Sequence, residues 1–96
     1  MLLHFTHVHT PESCPAHNPE GMKKMALLMT SAEDKGIRVH GMYVSTWEHT
    51  IYGVVEAESA ESLDAWLDPA LEIGRATVTP VTDAVATLKR LMGGGQ

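Results

Sequence analysis

Polar and apolar residues alternate from the start of the chain, and Leu3, Phe5, His7 and His9 fall on one side of that alternation. Residues 2–10 therefore predict a β-strand whose odd-numbered side chains share a face, with His4 on the opposite one. Pro11, Pro15 and Pro19 deny helix and ladder to the next stretch, which predicts an ordered loop over 11–19. Asn18 is a good N-cap with Pro19 at the first helical position, so a helix opens there and runs to about residue 35, where Gly36 ends it. Met22, Met25, Ala26 and Met29 recur at helical spacing and are expected to fill the core. Residues 37–45 and 50–57 predict two strands joined by the turn Thr46-Trp47-Glu48-His49, a hairpin. Ser59 caps a second helix over 60–73, with Leu63, Trp66, Leu67 and Ala70 as its buried stripe, Gly74 as its stop and Asp68-Pro69 bending it. A Thr/Val-rich strand over 76–81 and a short helix over 82–92 complete the chain, before a Gly93-Gly94-Gly95-Gln96 tail.

The order βαββαβ plus a terminal helix predicts an α+β fold, a ferredoxin-like sandwich with a four-stranded antiparallel sheet. A single domain spans 1–92, with 93–96 as a flexible tail. The Met1-Leu2-Leu3-His4-Phe5 strand, the hairpin and the Asp64-Ala65-Trp66-Leu67 helix together resemble small stand-alone members of the dimeric α/β-barrel superfamily. The resemblance covers the whole chain and rests on element order and length. It implies a homodimer in which two sheets face each other around a barrel-like cavity, and it carries over no catalytic residues. Geometry points the same way: two helices cover only one face of a sheet, leaving Leu3 and Phe5, or their alternates, on the other. Face-to-face packing is expected to bury more than about 1,200 Å².

Charge and composition narrow the partners. A net charge of −5 with no basic cluster argues against nucleic acid or an anionic membrane surface. A single cysteine makes no internal disulfide, and no apolar run reaches the roughly 18 residues of a spanning helix, so a cytoplasmic location is expected.

The chemistry concentrates in the first 17 residues, which hold His4, His7, His9, Cys14 and His17 out of 6 histidines and 1 cysteine. Imidazole and thiolate bind borderline and soft transition metals. In the expected fold the strand after the hairpin turn lies antiparallel beside the first. His7, His9, Cys14, His17 and His49 then gather at one end of the sheet, with His7 and His9 facing the cavity that a dimer encloses. His4 and His40 fall outside that constellation. The set predicts a metal centre for zinc or copper, and less specifically iron or nickel, with a position left for water or a small molecule. Two other readings stand beside it. One is a metal-independent isomerase or monooxygenase-like enzyme with His7 or His9 as general acid/base; the other is a non-enzymatic ligand sensor. Cys14-Pro15-Ala16-His17 is by itself a weak metal motif, Trp66 is expected to anchor its helix, and Trp47 to line a ligand mouth or a dimer contact.

Overall fold

The computed structural model describes residues 1–12, 14 and 16–93; Ser13 and Pro15 of the predicted loop, and residues 94–96 of the predicted tail, lie outside the described residues. Strands β1 (Leu2–His9), β2 (Ile37–Ser45), β3 (Thr50–Ala57) and β4 (Gly74–Pro80) alternate with helices α1 (Pro19–Ser31), α2 (Ala60–Leu71) and α3 (Ala84–Gly93) in the expected order. They form one antiparallel sheet in the order β2-β3-β1-β4. This is an α+β fold of ferredoxin-like order. None of the helices, among the described residues, is long and apolar enough to cross a membrane.

β1 is hydrogen-bonded on both sides, with Phe5 opposite Gly53 of β3 and Val78 of β4. Its odd-numbered side chains lie under the helices. Phe5 is fully buried and meets Trp66 edge-on, with ring centroids 5.5 Å apart at 85°. The ring covers Gly53, where any Cβ would collide with it. Trp66 in turn donates its indole N–H to the Leu28 carbonyl at 2.8 Å, tying α2 to α1 above the sheet. Leu3, Phe5, His7 and His9 therefore point at the helices, and the expectation that the histidines face a cavity between two sheets is corrected. The open face carries the even set of β1 with Gly41, Tyr43, Tyr52 and Val54.

Helix caps form as the sequence indicates. The Asn18 side chain accepts from the Glu20 and Gly21 amides, and that of Ser59 accepts from Ser62. α1 gives way to a 3₁₀ turn at Glu33–Lys35, closed by Gly36 at φ 73°, a left-handed conformation that glycine adopts freely. Its phase differs from expectation. Met22 and Met29 are exposed, and the inward stripe is Gly21, Met25, Leu28 and Ala32. Both stripes obey helical spacing, and the Trp66–Leu28 bond turns the second toward the core.

Pro69 sits in the last turn of α2 without ending it. Its missing N–H frees the Ala65 carbonyl, and the Lys35 ammonium donates to that oxygen at 3.2 Å. α3, capped by Asp83 accepting from the Ala86 amide, has no buried residue and exposes Val85, Leu88, Leu91 and Met92. The radius of gyration, 15.2 Å, exceeds the value of about 12.5 Å expected for a compact chain of this length.

Trp66 supplies both ring packing and the tie between helices. Trp66→Ala is expected to destabilise the fold by about 3–5 kcal/mol. Trp66→Phe, which keeps the apolar ring and loses the hydrogen bond, should cost about 1–2 kcal/mol. Urea midpoints at unchanged m-value measure both; equal costs for the two variants would contradict a role for the indole N–H.

Candidate metal centre

β1 ends where β3 begins. The His9 amide donates to the His49 carbonyl at 3.0 Å, one step beyond the Val8–Thr50 pairing, so the two side chains are brought together by the ladder itself. Their rings lie 5.6 Å apart at 77°, and the ring of His7, two residues back on the same face, lies 5.7 Å from that of His9.

His49 is held at φ 51°, and it is the non-glycine residue with positive φ among those described. That left-handed conformation costs an ordinary side chain about 1–2 kcal/mol. The turn is braced around it: Thr50 donates its hydroxyl to the Glu48 carbonyl at 2.9 Å, and Tyr52 donates its phenol to the Glu48 carboxylate at 2.9 Å. Glycine or asparagine would relieve the strain, so an imidazole here spends stability on position.

Cys14 enters from the loop after β1. The His17 amide donates to the Cys14 carbonyl at 2.9 Å, and Asn18 donates its side-chain N–H to the Glu12 carbonyl at 2.7 Å. The thiol is buried, and ligand atoms of His9, Cys14 and His49 all lie within 4.8 Å of one another. Tetrahedral zinc, at about 2.0 Å from nitrogen and 2.3 Å from sulfur, needs ligand–ligand edges of about 3.3–3.5 Å, so closure requires movements on the order of 1 Å. His17 is exposed and stands outside this group.

His7 occupies a different place. It is 1% exposed, and its Nε2 lies 2.7 Å from the Ala70 carbonyl in the last turn of α2. A carbonyl only accepts, so Nε2 carries the proton and Nδ1 the lone pair. Its ring rests against Gly74, where a Cβ would come within 2.6 Å of Nε2. Nδ1 of His7, of His9 and of His49 are all buried without a hydrogen-bond partner. Three such atoms in neighbouring rings are costly in an ordinary core, and each calls for a reason.

Burial and neighbouring charge favour the neutral form of His9. The His9 imidazole is held below its ordinary range, first by burial and then by the charge that protonated His7 and His49 would place beside it. Neutral imidazole is the metal-binding form. Of the residues expected in the centre, the structure brings His9, Cys14 and His49 together, places His7 beside them and leaves His17 exposed. The Ala70 carbonyl leaves no mark in residue type, and Gly74, expected only as a helix stop, also makes room for the His7 ring.

The chain belongs to the family described as Domain of unknown function (DUF3303), which matches residues 3–95. No curated protein matches it. Among solved structures it is similar to SCO4226 from Streptomyces coelicolor A3(2), at a TM-score of 0.50 and 17% identity, over 83% of this chain and 99% of that one. It is also similar to a chain of the MjSpt4:Spt5 complex, at a TM-score of 0.44 and 18% identity, over 96% of this chain and 58% of the other. The first of these likenesses concerns the fold alone.

The lowered proton affinity of His9 has a consequence for the metal-free protein. Below pH about 6.5 the unfolded chain protonates His9 while the folded chain still resists, so unfolding takes up a proton and stability falls as pH drops. Urea midpoints should decline between pH 7.5 and 5.5, and less steeply in His9→Gln. An identical decline in parent and variant would place the titration elsewhere.

Proposed function

We propose that this member of the family binds a transition metal through His9, Cys14 and His49, with zinc or copper the suited ions and iron or nickel less so. The observation that carries the proposal is the meeting of three ligand atoms within 4.8 Å, at a place where buried imidazole nitrogens lack any other partner. Mixed nitrogen and sulfur ligation suits both preferred ions. His7 supports the set: a ring whose Nε2–H is fixed on a carbonyl presents an oriented Nδ1, the arrangement common around metal centres. His17 joins only through a turn of its loop. Three protein ligands leave a position for water or a small molecule, as catalytic and ligand-sensing sites require.

One observation favours a metal-free reading. His9 stays a neutral base near pH 7 and stands in the wall of a cavity, whereas His7 is buried beneath α2, so His9 is the better placed general base in a small-molecule enzyme of that kind.

Calorimetric titration of tag-free protein decides between them. His9→Ala, Cys14→Ala and His49→Ala should each weaken zinc binding by at least about 100-fold, His7→Ala by about 10–100-fold, and His4→Ala should leave it unchanged. Copper needs a separate titration, because it binds most nitrogen and sulfur sites more tightly whatever the native ion. If the His9→Ala, Cys14→Ala double variant binds both ions as the parent does, this cluster is not the site.

We also propose a homodimer formed through the open sheet face. α3 presents Val85, Leu88, Leu91 and Met92 exposed at helical spacing, and Trp47 is 95% exposed at the hairpin turn. A second copy offers an open sheet face on which Val8, Tyr43, Tyr52 and Val54 stand among Thr6, Thr77 and Thr79, and a matching arm. Sedimentation equilibrium at micromolar concentration should give twice the chain mass, and Leu88→Asp with Leu91→Asp should return the monomer. A monomeric parent contradicts the dimer.

A further inference from the structure

A cavity of about 240 Å³ opens directly onto the proposed centre, with His9 and Cys14 in its wall. Met25, Met42, Val44 and Ile51 form most of the rest, and Tyr43 and Thr46, both exposed, stand at its rim. The placement follows from the strands. Met42 and Val44 lie opposite Gly53 and Ile51, on the face shared with His7 and His9. The absence of a side chain at Gly53, over which the Phe5 ring lies, belongs to the core behind. α1 contributes only Met25 here, so the sheet edge beneath stays open.

We infer that this cavity takes an uncharged, mainly apolar organic molecule of about one ring, whose single donor atom fills the open coordination position. The inference rests on the metal reading above and names what the centre would receive. Among the described residues the lining contains no Asp, Glu, Lys or Arg, so a charged guest loses its hydration without a partner. The methionines give a soft, adaptable wall suited to ring faces and edges. An apolar cavity of about 150 Å³ accommodates benzene, so this one has room for a ring with a small substituent.

Cobalt(II) provides the readout, because its ligand-field bands respond to a new donor and its thiolate charge-transfer band reports Cys14. The probes are 4-methylpyridine and pyridine-4-carboxylate, which share a donor nitrogen and differ in charge, each normalised to its affinity for aqueous cobalt. 4-Methylpyridine should shift the ligand-field bands of the cobalt-loaded protein at a concentration at least about tenfold lower than pyridine-4-carboxylate does, a modest desolvation difference. Val44→Trp, at a position already exposed at the sheet edge, should raise the 4-methylpyridine concentration needed by about tenfold or more while cobalt affinity stays within about twofold. Val44→Phe serves as the milder replacement should the larger ring disturb folding. Cobalt binding with the thiolate band present, but no preference between the probes, overturns the cavity inference and leaves the metal centre standing. Failure of cobalt to bind overturns the metal reading and this inference with it.

Discussion

Strand β1 is paired on both sides, and its two-residue period under a pair of helices determines where every other group of interest can go. With Leu3 and Phe5 committed to the core, His7 and His9 must follow on the same face, because no register places one pair inside and the other outside. Burial of two imidazoles is thus the direct consequence of burying Phe5 against Trp66. What distinguishes them is depth. His7 lies beneath the last turn of α2 and finds the Ala70 carbonyl, whereas His9 lies at the strand end, where the ladder delivers His49 and the following loop delivers Cys14.

The cost of this arrangement is visible in three places. His49 adopts a left-handed backbone, three imidazole nitrogens go without hydrogen bonds, and Gly74 must lack a side chain so that the His7 ring can fit. Each lowers stability in isolation. They converge on one end of the sheet, beside a cavity, while the opposite end of β1 is ordinary core. Strain and unsatisfied polarity clustered in this way are what a binding centre requires and what a purely structural core avoids.

Much of this was legible in the residues. Alternation in β1, the Asn18 and Ser59 caps and the hairpin around Thr46-Trp47-Glu48-His49 specify the element order, and the antiparallel neighbour then unites His9 with His49 across 40 residues of sequence. Less legible was the sidedness of the sheet. Alternation says that His7 and Phe5 agree, and only packing says that they agree toward the helices. The phase of α1 was ambiguous for the same reason, since Met22–Met29 and Gly21–Ala32 both satisfy a helical period until Trp66 engages Leu28. His17 was grouped with Cys14 by proximity in the chain, but a turn between them sends the imidazole to the surface.

X-ray absorption at the zinc edge, on tag-free protein loaded with one equivalent, tests whether one thiolate and two imidazoles share an ion at the end of β1. A four-coordinate shell is expected, with a single sulfur scatterer at about 2.3 Å, two imidazole nitrogens at about 2.0 Å and one further light-atom ligand, and with the sulfur lost in Cys14→Ala. A shell of oxygen and nitrogen alone in the parent protein would contradict it.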